Sequence, residues 1–346
     1  MTTRVGINGF GRIGRAFTRL ALDRAGLEVV AVNDIADTRT LAHLLEFDST
    51  YGRLGGRVEY ADQALTVGGG QIAVLSQRDP AAIDWAGLGA DIVVEATGKF
   101  RSRDAAAAHL KAGARKVLIS APGKGADLTV VLGVNDGAYD ARRHDVISNA
   151  SCTTNCVAPM VKVLHDAFGV ERGFMTTIHA YTGDQMLLDG PHKDLRRARS
   201  AAANIVPTTT GAARATGEVI PSLAGKLDGV AVRVPVEDGS LTDLAVVVRA
   251  EVTAQAVNDA FAAAAAGPLA GIVRYSTDPI VSRDIIGDPA SCVFDSALTQ
   301  AAGTLVKVFG WYDNEWGYAS RLADLAMLVG ASSRQARSLS SGRRGR

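Results

Sequence analysis

Gly9-Phe10-Gly11-Arg12-Ile13-Gly14 constrains this chain more than any other stretch of it. The hexapeptide follows a β-rich run, Val5 to Asn8, and opens a helical one, Arg12 to Ala25. A tight glycine turn in that setting leaves unpaired N–H groups facing whatever lies before the helix, and the helix dipole favours an anion there. The second β-rich run, Leu27 to Asn33, ends beside Asp34. A carboxylate at that point accepts hydrogen bonds from the ribose hydroxyls of NAD and repels the extra phosphate of NADP. The alternative readings are a glycine-rich turn without a ligand and, for Asp34, a loop carboxylate or cap.

The rest of the first half keeps the same alternation. Asp91 to Ala96, Lys116 to Ala121, Thr129 to Leu132 and Asp145 to Ser148 read as strands, and Thr40 to Phe47 and Asp104 to Ala112 as helices. Strands alternating with helices give a parallel sheet covered on both faces, a Rossmann-type domain. Beyond about Arg172 the pattern changes to longer alternating strands such as Thr242 to Arg249, and helices become fewer, which indicates an α+β domain with a large mixed or antiparallel sheet. A helix after Thr253 and another from about Trp316 to Val329 carry apolar stripes. The expected organisation is an NAD-binding domain over 1–151 completed by a C-terminal helix over 315–330, a catalytic domain over 152–314, and a disordered basic tail over 331–346. A chain of 346 residues is long enough for two such cores. Thirty-seven basic and thirty-six acidic residues remove the electrostatic case for nucleic acid. No apolar run approaches a membrane span and no secretory signal opens the chain, so a cytoplasmic protein is expected.

The chemistry centres on Cys152. It sits in Ser151-Cys152-Thr153-Thr154-Asn155-Cys156, between the strand ending at Ser148 and a helix expected from Thr153 to Phe168. A thiol at a helix start feels unpaired N–H groups and the positive end of the dipole, both of which favour the thiolate. Among six histidines, His179 alone ends a strand-like run, Phe174 to Ile178, from which it can project off a sheet edge. A structural histidine remains the competing reading. Cys156 and Cys292 read as packing residues, and the cysteine spacing gives no metal site.

Three long motifs then carry a resemblance. Ser148-Asn149-Ala150-Ser151-Cys152-Thr153-Thr154-Asn155-Cys156, Thr176-Thr177-Ile178-His179-Ala180-Tyr181-Thr182 and Trp311-Tyr312-Asp313-Asn314-Glu315-Trp316-Gly317-Tyr318 occur in the order seen in phosphorylating glyceraldehyde-3-phosphate dehydrogenases, which the chain resembles from Arg4 to Gly330. The resemblance implies a homotetramer that oxidises glyceraldehyde 3-phosphate with NAD and inorganic phosphate. Cys152 would be the nucleophile, His179 its base, and Asn314 the partner of the nicotinamide carboxamide. It further implies cofactor contacts from Gly9, Gly11, Arg12, Ile13, Gly14, Asp34, Arg78, Thr97, Gly98 and Ser120. Thr182, Asp184 and Arg233 would hold the substrate phosphate, and Ser151, Thr153, Arg197, Thr210, Gly211 and Arg233 the attacking one.

The chain departs from the family after Arg233-Val234-Pro235. The usual threonine, proline, asparagine, valine, serine is replaced by Val236-Glu237-Asp238-Gly239-Ser240, which adds negative charge beside the anion site that the resemblance implies at Arg233. Two rivals stand beside the main reading: an erythrose 4-phosphate dehydrogenase of the same group, and a non-enzymatic NAD-binding or thiol-sensing protein with Cys152 as its oxidation target.

Overall fold

The computed structural model describes residues 2–343. The chain forms two compact units: the first holds the chain up to Val130, Gly137–Ala150 and the chain from Ala319 on, and the second holds Val131–Asp136 and Ser151–Tyr318.

The first unit is built on a nine-stranded sheet. Across it run Leu128–Thr129, Val146–Ser148, Lys116–Ile119, Ile92–Glu95, Thr3–Asn8, Leu27–Asn33, Gly70–Leu75, Ala64–Val67 and Glu59–Ala61. The seven strands from Leu128–Thr129 to Gly70–Leu75 are parallel, and the last two are added antiparallel. Ile92–Glu95 and Lys116–Ile119 are buried at every position, as strands covered on both faces must be. Chain order reverses at Thr3–Asn8, so the loop after it opens at the switch point where such sheets bind ligands.

Some boundaries differ from the sequence reading. Thr129 to Leu132 pairs only as Leu128–Thr129, and the helix expected from Asp104 to Ala112 is two short ones, Arg103–Ala106 and Ala108–Lys111. The strands Glu59–Ala61, Ala64–Val67 and Gly70–Leu75 were not anticipated. Gly68 and Gly69, at φ +59° and +78°, turn the last two into a hairpin. The C-terminal helix runs from Trp316 to Arg343. The segment expected to be a disordered tail is therefore helical as far as Arg343, and residues 344–346 lie outside the described residues. Arg24 pairs with Asp324 on this helix, and Gly330 passes so close to Thr3 that a Cβ there would lie 2.3 Å from its hydroxyl.

The second unit is a mixed sheet of eight strands. Val206–Thr209, Leu227–Val234, Val170–Ala180, Ser240–Val248, Leu305–Tyr312, Cys292–Asp295 and Val273–Ser276 lie in that order, with Gln300–Ala302 added to Leu305–Tyr312. Burial alternates strictly along Ser240–Val248, the mark of a sheet with one face in the core. Met175, Leu244, Val246, Val306 and Val308 meet Val157, Met160, Val161 and Leu164 of helix Cys152–Phe168 and Val257 and Phe261 of helix Ala254–Ala266. Each such side chain contributes about 1.5–3 kcal/mol by leaving water. Phe174, on the opposite face of its strand from Met175, is 72% exposed. A further helix, Ala212–Val219, was not foreseen.

Candidate active site

The glycine loop has the shape its sequence requires. Gly9 holds φ +95°, and a Cβ on it would lie 2.6 Å from Thr97 N; a Cβ on Gly14 would lie 2.4 Å from Gly9 O. Both positions are closed to any side chain. Gly11 is different, because a Cβ there meets nothing within 4 Å. Its smallness is not demanded by the chain itself, which fits close approach by a ligand at the N-terminus of helix Arg12–Leu22. A cleft of about 270 Å³ adjoins it, lined among others by Asn8, Gly9, Gly11, Asp34, Arg78 and Thr97. Asp34 sits at the end of its strand, its carboxylate accepting from Phe10 N–H at 2.8 Å and Ala36 N–H at 3.1 Å.

Other expected contacts are placed less directly. The Arg12 guanidinium is engaged by Asp48 at 2.5 Å and lies over the Tyr51 ring, so Arg12, like Ile13, offers its first-turn position in the helix rather than a free charge. Gly98, at φ +70°, follows Thr97, and Ser120 Oγ donates to Glu95 O at the end of the neighbouring strand. Beneath the loop lies a polar network the sequence reading missed. Trp85 Nε1 donates to His109 Nδ1 at 3.0 Å, His109 Nε2 meets Glu95 at 3.0 Å, and Asn8 Nδ2 donates to the same carboxylate at 2.6 Å. His109, expected among surface residues, is fully buried. The indole can only donate, so Nδ1 accepts and Nε2 carries the hydrogen that faces Glu95.

In the second unit Ser151 caps helix Cys152–Phe168, its hydroxyl accepting from Thr154 N–H at 3.0 Å, and Cys152 is the first helical residue. The turn ahead of it includes Ala150 at φ +54°, a left-handed conformation costing a residue with a side chain about 1–2 kcal/mol. Cys152 Sγ lies 3.5 Å from His179 Nε2. His179 Nδ1 lies 2.7 Å from Ala180 O, which places the ring hydrogen there and leaves Nε2 as an acceptor facing the sulfur. Tyr312 supports the ring edge-on at 5.9 Å, and its hydroxyl joins Thr153 at 2.9 Å and Thr177 at 2.7 Å.

Burial pushes the thiol up to about 11, against contrary pulls from Thr153 and from the charge of Arg233. Burial and the Arg233 charge hold the imidazole down at about 4. The expected thiolate is thus outweighed at rest: the pair is a neutral thiol beside a neutral base, poised to pass its proton to Nε2.

Two arginines flank this pair. The parallel pairing of Val170–Ala180 with Leu227–Val234 sets Arg233 beside His179. Arg233 donates to Thr182 Oγ1 at 2.7 Å and Gln185 Oε1 at 3.4 Å, while its buried Nε has no partner among the described residues. Arg197 is held by Asp184 at 2.6 Å, Thr208 at 3.0 Å and Thr209 O at 3.3 Å. Burial works to raise the Asp184 carboxyl, but the Arg197 bond and charge bring it below the usual range. Asp184 therefore meets Arg197 directly, and Thr153 spends its hydroxyl on Tyr312. Thr210 and Gly211 stand at the start of helix Ala212–Val219, with Thr210 Oγ1 accepting from Ala212 N–H. Asn314 is 5% exposed, and its Oδ1 accepts from Ser240 Oγ at 2.7 Å, leaving its amide N–H₂ to donate elsewhere. Gln185, Thr208, Ser240 and Tyr312 are among the site residues that sequence reasoning missed. Gln185 directly follows the Thr182-Gly183-Asp184 run, whereas nothing in the sequence marks Ser240.

Both halves of the chain match one known family. Residues 3–103 match the glyceraldehyde 3-phosphate dehydrogenase NAD binding domain, and residues 151–314 match the C-terminal domain of the same family. Glyceraldehyde-3-phosphate dehydrogenase 2 of Streptomyces avermitilis is 59% identical over 332 residues, 95% of this chain and 99% of that one. The chain belongs to the glyceraldehyde 3-phosphate dehydrogenase family. Glyceraldehyde-3-phosphate dehydrogenases of Streptomyces coelicolor, 60% identical, and Mycobacterium avium, 58% identical, align over 95% and 96% of the chain and 99% and 100% of their own lengths. Membership makes NAD the cofactor, and the open face of Gly11 and the cleft beside it fit that molecule. Matches of this extent do not favour the erythrose 4-phosphate reading.

Proposed function

We propose that the protein is an NAD-dependent, phosphorylating glyceraldehyde-3-phosphate dehydrogenase in which Cys152 is the nucleophile and His179 the base. The observation that carries this is the 3.5 Å approach of Cys152 Sγ to an imidazole nitrogen held free for a proton by the Ala180 carbonyl. As the sulfur attacks the aldehyde, its proton passes to Nε2, and a hemithioacetal forms on Cys152. NAD, when bound, supplies the hydride acceptor, and Asn314 orients it through the amide that Ser240 leaves available. Cys152 is then left carrying a thioester. Inorganic phosphate attacks that carbonyl and releases 1,3-bisphosphoglycerate and the thiol.

Arg233, Thr182 and Asp184 hold the substrate phosphate, and Arg197, Arg233, Ser151, Thr153, Thr210 and Gly211 surround the attacking one. The unpartnered Nε of Arg233 supports this, since a buried guanidinium donor needs an acceptor. Asp184 acts through Arg197, which it fixes. We further propose a homotetramer. Leu187, Leu188 and Leu195 are 77–80% exposed on one loop, and Phe174 and Val230 project from the bare face of the catalytic sheet; covering such surface stabilises assembly. Three unpaired cysteines suit a reducing, cytoplasmic setting.

Following NADH absorbance with glyceraldehyde 3-phosphate or erythrose 4-phosphate, with and without phosphate, tests the reading. Turnover should be fastest with the triose and require phosphate. Preference for the tetrose, or turnover independent of phosphate, contradicts it.

A further inference from the structure

The departure at Val236–Ser240 brings two acids together in the core. Ser240 pairs with Tyr312 where strands Ser240–Val248 and Leu305–Tyr312 run antiparallel, so Asp238, just before the first, and Asp313, just after the second, leave the sheet side by side. Asp238 is 0% and Asp313 1% exposed. Asp313 Oδ1 accepts from the N–H groups of Glu315 at 2.9 Å and Trp316 at 2.7 Å, and Oδ2 from Gly287 N–H at 2.8 Å. Asp238 Oδ1 accepts from Gly239 N–H at 2.8 Å. The Asp238 carboxyl lies against that of Asp313 and acts on its proton affinity.

Two ionised carboxylates have no hydrogen to give, so a bond between them requires a proton on one. Like charges at contact distance cannot both persist without water. The family's usual asparagine at position 238 would make the same bond with an amide hydrogen that does not titrate. The next residue after Asp313 is Asn314, itself tied to Ser240 at 2.7 Å. The two loops are therefore stitched together twice, once by the acids and once by Ser240 and Asn314.

We propose that Asp238 and Asp313 share one proton and that this proton fixes the loop carrying Asn314, so that the pair acts as a pH-sensitive positioning device for NAD binding. This rests on the reading of Asn314 as the nicotinamide contact. Burial raises the proton affinity of Asp313, and its N–H donors and Asp238 oppose that only in part. The surrounding charges have their own partners: Glu237 with Arg283 at 2.5 Å, Asp288 with Arg274 at 2.7 Å, and Asp243 with Lys307 at 2.9 Å. Asp284 accepts from Val281 N–H, and Glu315 follows Asn314 with its own N–H on Asp313. When pH rises past the pair's titration the shared proton leaves, the two carboxylates repel, and the Asn314 loop loosens.

The test compares the full-length protein with Asp238→Asn. Between about pH 6 and 10 the native KM for NAD should rise about tenfold while kcat at saturating NAD changes little, and Asp238→Asn should hold its KM within about twofold. Superimposable KM profiles overturn the proposal. Infrared spectroscopy of the native protein at neutral pH should show a protonated-carboxyl stretch that disappears at high pH; its absence overturns the proposal without any variant. Asn314→Ala separates the two readings. If it leaves the KM for NAD unchanged, the cofactor assignment of Asn314 fails, and with it the device as proposed, whatever the infrared band shows of the proton itself.

Discussion

The role proposed for His179 makes two separable predictions, one for the reaction and one for acid stability. Replacing it with asparagine removes the base, and kcat should fall by roughly 10²–10⁴-fold. Its imidazole is held near 4 by burial and by Arg233, against an ordinary 6.5. As pH falls below about 6.5 the unfolded chain takes up this proton before the folded one. The stability it contributes is thus present above about 6.5 and lost as pH falls through about 4, amounting to about 3 kcal/mol over the roughly 2.5-unit difference. Calorimetry from about pH 7 to 4 should show a shallower fall of Tm in His179→Asn than in the native protein, and equal slopes would mean that the ring titrates normally. Cys152 and His179 were legible in sequence because each stands in a long ordered motif. The protonation of the pair was not, since it depends on how much water the folded site admits. His109 misled for a similar reason: its helix looks polar, but Trp85 and Glu95, far off in sequence, bury it.

At the scale of elements, the strand, glycine turn and helix at the N-terminus separate fold from binding. Gly14→Ala forces a methyl to 2.4 Å from Gly9 O and should lower Tm along with NAD affinity. Gly11→Ala meets nothing in the chain, so its Tm should match the native protein while its Kd for NAD rises tenfold or more, read by calorimetric titration. Similar Kd values for Gly11→Ala and the native protein would deny the loop its ligand. The parallel strands and the alternating strand Ser240–Val248 could be read from periodicity because burial imposes that periodicity. The hairpin strands Glu59–Ala61 and Ala64–Val67 could not, for they are only three and four residues long and the first is exposed throughout. Helix Ala212–Val219 was hidden because its first turn has a glycine cap without a side-chain bond. The C-terminal helix outran its apolar stripe, so the pattern that marked its start gave no sign of its end at Arg343.

For the whole molecule, the bare face of the catalytic sheet and the leucine-bearing loop are where subunits should meet. Phe174→Glu places a charge at a 72% exposed position, where it costs the isolated chain little. Light scattering should show a tetramer for the native protein and smaller species for this variant; a native monomer would contradict the proposed assembly. The central claim is that a sulfur-bound acyl group links oxidation to phosphate transfer, and mass spectrometry tests it most directly. Protein mixed with NAD and glyceraldehyde 3-phosphate without phosphate should carry a substrate-derived acyl group on the Cys152 peptide alone, and added phosphate should discharge it. NADH formation with no adduct on Cys152, or with the adduct on Cys156 or Cys292, would contradict the account.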